Sequence, residues 1–124
     1  MSLDKKPKSR GVAHTPVVMQ MENLECGPAC LAMVLAYYGK WVSLEVLRKD
    51  CGVSRDGVNV YNIVQAAESY DLNVSGHQYE LYELKKHATF PCIIHWNFNH
   101  FVVLNGFRGN RAYINDPESG SRSI

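Results

Sequence analysis

The chain has 124 residues, of which 46% are hydrophobic and 20% are charged, and its formal net charge is +1 at pH 7. This length fits one domain with a single core and is too short for two ordinary domains. The near-neutral charge argues against a nucleic-acid-binding surface. The longest apolar run, residues 30–38, is far below the ~20 residues that a membrane-spanning helix needs.

Residues 1–13 are predicted to be a disordered tail, and residues 14–124 the folded domain. The tail carries four basic side chains among Pro, Ser and Gly, without an apolar pattern around them. The residues that follow these charges, VAHTPVVMQME, do not supply the apolar stretch of a secretory signal.

The redox state of the thiols follows from the absence of a secretory signal in this sequence. Without a secretory signal, the cysteines are expected to remain reduced in cytosol. Their spacing lacks the paired C-x-x-C pattern of zinc ribbons, so we predict no structural metal site. Thiol chemistry or plain burial therefore remains for the four cysteines: Cys26, Cys30, Cys51 and Cys92.

Three helices are predicted in the first half of the chain. Pro28 suits the first turn of a helix, and apolar residues follow it on almost all sides until Gly39, which is the pattern of a buried central helix. Ser43 can cap a second, short helix and Asn59 a third, each with apolar residues on one face.

After Asp71 the pattern changes to that of a sheet. LNVSGHQY alternates like a strand, LYELKKH reads as a short helical turn, and CIIHW, HFVVLNGF and RAYIND read as strands. Helices followed by antiparallel strands predict an α+β domain with one helix packed on the sheet. Because ESGSRSI ends the chain just after a strand and a turn, we expect a piece of a longer protein that lacks its closing strand.

Cys26 is predicted to be a nucleophile. It lies just ahead of the central helix in QMENLECGPACLAMVL, where the helix dipole and unpaired N–H groups favour a thiolate. The alternative is a buried cysteine that acts as a small hydrophobe.

A catalytic thiol needs an imidazole and a third group that orients it. His100 opens the strand HFVVL, and Asp116 ends the next strand. Adjacent antiparallel strands bring the start of one beside the end of the other, so we predict that these two residues are neighbours. An Asp-Pro turn is the alternative role of Asp116. Surface or core roles are predicted for the remaining histidines: His14, His77, His87 and His95.

Gln20 is the predicted oxyanion donor. Its side-chain amide can point at the developing oxyanion together with the Cys26 backbone N–H. The alternative is an ordinary exposed loop glutamine.

Three motifs in order, Q…ECGPACLAMVLAYYG, HWNFNHFVVL and YINDPESG, resemble the peptidase domain at the N-terminus of bacterial ABC transporters that export bacteriocins, lantibiotics and related peptides. The resemblance covers residues 14–124. It implies a papain-like fold in which a helical part bearing the cysteine packs on an antiparallel sheet. By position it makes Cys26 the nucleophile, His100 the general acid/base, Asp116 the orienting carboxylate and Gln20 the oxyanion donor.

The resemblance also implies a substrate and partners. Family members cut a leader peptide from its precursor after a double-glycine-type sequence, before the cargo is exported. The implied partners are the precursor and the transporter's transmembrane and ATP-binding parts, with no nucleic acid. The implied location is the cytoplasmic side of the bacterial membrane, although this piece is expected to be soluble. No cofactor is expected for the peptidase, whereas ATP and Mg²⁺ would serve the transporter part.

Two positions depart from the family pattern, and three are predicted to touch substrate. Glu25 stands where the family often has Asp, and Asn99 stands where Gly is frequent. Small residues at the cut imply a narrow channel that excludes side chains. The amphipathic leader helix would lie in an apolar groove, for which we predict three tyrosines, with ordinary packing as the alternative: Tyr61, Tyr79 and Tyr82.

Three other interpretations stay open at this point. The chain could be a substrate-docking relative that has lost catalysis, although the presence of Cys26 argues against it. It could also be another papain-like thiol enzyme, such as an acyltransferase or amidase. The third alternative is an α+β domain whose thiols are merely buried.

Overall fold

The computed structural model describes residues 7–22, 24–53, 57–96 and 100–124. In this part of the chain helices come first and a sheet second, which confirms the predicted α+β class. The helices are α1 Cys26–Tyr37, α2 Leu44–Asp50, α3 Val60–Ser69 and α4 Leu81–His87. The strands are β1 Cys92–Trp96, β2 His100–Arg108, β3 Arg111–Asp116 and β4 Gly120–Ser123.

Helix α1 forms the centre of the domain. All of its residues are buried, as predicted from a sequence that is apolar on almost every side. The helix ends where Gly39 adopts a positive φ of 85°. The Gly39 and Lys40 N–H groups then bond back to the carbonyls of Ala36 and Leu35, which satisfies the end of the helix.

Helices α2 and α3 begin at the predicted caps. The Ser43 side chain accepts a hydrogen bond from the Val46 N–H at 3.3 Å, and the Asn59 side chain accepts one from the Asn62 N–H at 2.8 Å. Each cap of this kind stabilises a helix by about 1 kcal/mol. Both helices pack on α1 through buried apolar side chains: Leu47, Ile63, Ala66 and Ala67.

The four strands form one antiparallel sheet in the order β1-β2-β3-β4. Strand β2 is the most buried because it lies between β1 and β3 and supports α1 on one face. The predicted packing of one helix on the sheet is therefore confirmed. It also fixes the Cys26 end of α1 relative to β2.

The N-terminal segment packs against a bulge in β2. The register between β2 and β3 shifts between Leu104 and Gly106, where Gly106 has a φ of 143°. Val12 pairs with Gly106 there, and the Ala13 N–H donates to the Asn105 carbonyl at 2.7 Å. A Cβ on Gly106 would lie 2.1 Å from the backbone oxygen of Gly11, so only glycine allows this crossing.

Buried polar groups secure the same segment. The Asn115 side-chain amide donates to the hydroxyl of Thr15 at 2.7 Å and to its carbonyl at 3.1 Å. That hydroxyl donates in turn to the Asn105 side chain at 2.7 Å. Because each polar atom in this chain of bonds has a partner, burying it is tolerated.

The predicted tail lies partly outside the described residues, which begin at residue 7. From there the backbone is ordered against the sheet: Lys8 and Phe90 exchange two backbone hydrogen bonds, at 2.8 and 2.7 Å. This pairing could not be predicted from the sequence, because the segment has no apolar period and its partners are distant in the chain.

One prediction about the sheet was wrong. LNVSGHQY is not a strand: Leu72 and Val74 are half-buried and Asn73 between them is exposed, but the segment joins no strand of the sheet. Its alternation reflects burial of one face and not strand pairing. The end of the chain contributes β4, which pairs with β3 from Tyr113 to Asp116. The absence of a further, closing strand stays a prediction.

None of the helices within the described ranges has the length and apolar character needed to cross a bilayer.

Candidate active site

Cys26 is the first residue of α1 and is buried, with 6% of its surface exposed. The amides of the first helical turn lack partners inside the helix, so the thiol lies at the positive end of the helix dipole. Its side chain belongs to an apolar cluster that includes Phe101 and Val103 of β2. The thiol end of α1 therefore packs beside the start of β2, where His100 is located.

His100 and Asp116 are in direct contact. The His100 Nε2–H donates to Asp116 Oδ1 at 2.8 Å, which confirms that the two residues are neighbours. Asp116 Oδ1 also accepts the Glu118 N–H at 2.9 Å, so the carboxylate orders the Asp-Pro turn as well. Asp116 therefore contacts His100 and also orders the turn, and its role in orienting a catalytic imidazole stays a prediction. Asn99, which precedes His100, lies outside the described residues.

The surroundings of Asp116 keep it ionised. Burial by itself would raise its pKa, but the bonds from the Glu118 N–H and from His100 lower the pKa below the ordinary value. Arg122 of β4 lies 3.6 Å from the other carboxylate oxygen, between Nη2 and Oδ2. Sequence reasoning missed Arg122 because it did not predict β4; the only signal was an arginine shortly after the Asp-Pro turn.

Cys30 lies in the same neighbourhood, one helical turn after Cys26. Burial raises the pKa of the Cys30 thiol well above its ordinary value, and the nearby Cys26 and Asp116 raise it further. Burial also raises the pKa of Cys51 to about 11 and that of Cys92 to about 12. These three thiols are therefore protonated at neutral pH and are poor nucleophiles.

We expect Cys26 to be alkylated at least ~10-fold faster than the other cysteines by iodoacetamide at pH 6, because burial raises the pKa of the other three thiols and keeps them protonated. Mass spectrometry of tryptic peptides after timed quenching would measure the four rates separately. Equal rates for Cys26, Cys30 and Cys51 would contradict the assignment of Cys26 as an activated thiol.

Gln20 borders the Asp116–Pro117 turn. Its backbone N–H donates to the Pro117 carbonyl at 2.9 Å, and its side-chain Nε2–H donates to the Glu22 carbonyl at 3.2 Å. Its side-chain oxygen is buried and has no hydrogen-bond partner among the described residues. Gln20 is half-buried and its backbone borders the turn that follows Asp116, while its role as an oxyanion donor stays a prediction.

The other histidines are all exposed, which confirms their predicted surface roles. His95 stacks on Phe101 with ring centroids 4.6 Å apart, and His77 stacks on Tyr79 at 4.9 Å. Tyr61 on α3 and Tyr82 on α4 expose 68% and 72% of their surfaces, whereas Tyr79 is half-buried. Binding of substrate by the three tyrosines stays a prediction.

Comparison with known proteins identifies relatives of this arrangement. The model of the peptidase C39 family matches residues 14–124. The colicin V secretion/processing ATP-binding protein CvaB of Escherichia coli is 41% identical over 111 residues, which cover 90% of this chain. The lactococcin-G-processing and transport ATP-binding protein LagD of Lactococcus lactis subsp. lactis is 27% identical over 110 residues, 84% of this chain. The chain spans 16% of the length of each relative.

Two solved structures have the same fold. A double glycine motif protease from an AMS/PCAT transporter, crystallised in complex with the leader peptide, is 63% identical with a TM-score of 0.96, covering 98% of this chain and 86% of that protein. The peptidase domain of Streptococcus ComA, a bi-functional ABC transporter, is 26% identical with a TM-score of 0.80, covering 90% of this chain and 86% of that domain. The predicted papain-like architecture is thereby confirmed.

Proposed function

Because the chain belongs to the peptidase C39 family, we propose that it is a cysteine endopeptidase that removes the leader of a ribosomal, bacteriocin-type precursor after a double-glycine-type sequence. The observation that supports this most is the hydrogen bond of 2.8 Å between His100 and Asp116, formed beside the helix terminus that carries Cys26. A thiol, an imidazole and an orienting carboxylate are the parts that acyl transfer by a thiolate needs.

In the proposed mechanism, Asp116 fixes the tautomer of His100. Its bond to Nε2–H leaves Nδ1 as the ring nitrogen that takes the Cys26 proton. The thiolate attacks the carbonyl carbon of the second small residue at the cut. His100 then protonates the departing amine, and the leader remains as a thioester on Cys26. Water, deprotonated by His100, hydrolyses the thioester and restores the thiol.

Gln20 and the Cys26 backbone N–H are the proposed oxyanion donors. A side-chain amide has two N–H groups, and one of those of Gln20 is held by the Glu22 carbonyl. The second can donate to the tetrahedral oxygen. The side-chain oxygen of Gln20, buried and without a partner among the described residues, is only an acceptor, so the oxyanion role falls to the amide N–H alone.

We expect Gln20→Ala to lower kcat by ~10²-fold with little change in KM, because an oxyanion donor acts in the transition state and not in substrate binding. Steady-state cleavage of a precursor peptide, followed by chromatography, would measure both constants. Gln65→Ala, which changes an exposed glutamine of α3, is the matched control and should retain activity. Unchanged turnover in Gln20→Ala would reject the oxyanion role.

Substrate and partners are proposed from the relatives. One solved relative was crystallised with a leader peptide, and curated relatives are named for both processing and transport. We propose that this chain acts on a leader-bearing precursor, next to transmembrane and ATP-binding parts, on the cytoplasmic side of a bacterial membrane. The peptidase step uses no cofactor because the thiol is itself the nucleophile. ATP and Mg²⁺ would serve the transport step.

The direct test is mass spectrometry of a precursor peptide with a double-glycine leader after incubation with the chain. We expect two products whose masses match a single cut after the second small residue. Replacing that residue with a bulky one, such as Phe, should abolish the cut, because a narrow channel excludes the side chain. An intact precursor would favour a docking module. Turnover of small amides without peptide cleavage would favour an amidase.

A further inference from the structure

Glu25, the residue before Cys26, is a buried carboxylate with three partners. Its Oε1 accepts the backbone N–H groups of Met21 and Glu22, both at 3.0 Å. Its Oε2 lies 3.2 Å from Nε of Arg48 on α2, and 4% of the side chain is exposed. Glu25 occupies the N-cap position of α1 but makes no side-chain cap bond to the helix. Its carboxylate is directed instead at the preceding turn.

That turn carries Gln20. The two N–H groups bound by Glu25 belong to the residues that directly follow Gln20, and the Glu22 carbonyl accepts the Gln20 side-chain amide at 3.2 Å. The Glu25 N–H closes the turn by donating to the same carbonyl at 3.2 Å. The position of the Gln20 amide relative to Cys26 is therefore set by a turn folded around one carboxylate.

We propose that Glu25, held by Arg48, is a positioning residue that fixes the oxyanion donor Gln20 next to Cys26. This inference rests on the proposed function of the chain. Glu25 does not touch the reacting atoms and acts through the turn. Arg48 is half-exposed and also lies 3.6 Å from a carboxylate oxygen of Glu22, so α2 anchors the turn at two acidic side chains.

The chemistry favours a carboxylate at this position. Two N–H groups and a guanidinium converge on it, and a charged acceptor binds such donors more strongly than a neutral one. An amide at position 25 could still accept the N–H groups but would lose the ion pair with Arg48. An alanine would leave both N–H groups without their acceptor.

The experiment is a double-mutant cycle on cleavage of a double-glycine precursor. We expect Glu25→Ala to lower kcat by up to ~10²-fold, with KM within ~2-fold, because its effect cannot exceed the loss of the donor that it positions. Glu25→Gln should lower kcat by ~10-fold. If Glu25→Ala does not fold, the double-mutant cycle is run with Glu25→Gln instead. In the Gln20→Ala background, either change should lower kcat by less than ~2-fold further, since residues that act through one group are not additive.

Controls separate positioning from general damage to the fold. Glu45→Ala and Glu45→Gln remove an exposed carboxylate of α2 and should leave kcat unchanged. Glu25→Asp, which keeps the charge, should be more active than Glu25→Ala. Full activity in Glu25→Gln, or effects that multiply with Gln20→Ala, would overturn the positioning role while leaving the peptidase assignment intact. A wild-type chain that cleaves no precursor would overturn both.

Discussion

Cys26→Ala is expected to abolish cleavage of a double-glycine precursor, by ~10⁴-fold or more, while the domain remains folded. The substitution removes the only atom that we assign as nucleophile and leaves the helix intact, because alanine has the highest helix propensity. Mass spectrometry of the incubated precursor would measure the loss of product. Circular dichroism and thermal unfolding would establish that the fold is retained.

Cys30→Ala is the matched control for this experiment. Both thiols are buried in α1 and belong to the same apolar cluster, but Cys30 is fully buried and its pKa is raised. Cys30→Ala should therefore cleave the precursor at close to the wild-type rate. Cleavage by Cys26→Ala would exclude a thiolate mechanism at this residue, whatever the state of the other cysteines.

His100→Ala is expected to abolish cleavage to a similar extent, ~10⁴-fold, because the imidazole both activates the thiol and protonates the leaving amine. Unlike Cys26→Ala, it leaves a thiol whose chemistry can be measured. The rate of iodoacetamide alkylation of Cys26 at pH 6 should fall, because the imidazole that takes the thiol proton is absent.

In His100→Ala, the Asp116 side chain is expected to keep its position, since the Glu118 N–H and Arg122 still contact its carboxylate. His14→Ala, a change of an exposed histidine, is the control and should alter neither cleavage nor alkylation. An unchanged rate of Cys26 alkylation in His100→Ala would show that the helix terminus alone activates the thiol.

Local patterns were sufficient for the helices and for the central contact of the site. Ser43 and Asn59 cap helices because their side chains bond amides only three residues away, so the signal lies within a short window. The contact between His100 and Asp116 was predictable because two consecutive strands, joined by a tight turn, can pair in one way that buries β2.

The parts that sequence reasoning missed depend on contacts between distant segments. The fourth strand carries Gly, Ser and Arg with no apolar alternation, and it is defined by pairing with β3. Glu25 was noted only as a variant of a family position, because its partners are two backbone amides and an arginine of another helix. LNVSGHQY shows the opposite case, in which an alternating pattern has no neighbouring strand.

The crossing of the N-terminal segment over Gly106 bears on where this domain begins. The family match starts at residue 14, yet Ala13 is almost completely buried, and the backbone from Lys8 onward bonds to Phe90 and to the bulge of β2. Trimming the chain to the aligned region would expose Phe90 and uncover the carbonyl of Asn105. The contacts that hold this domain together therefore include the segment from Lys8 onward, ahead of the boundary that sequence similarity would draw.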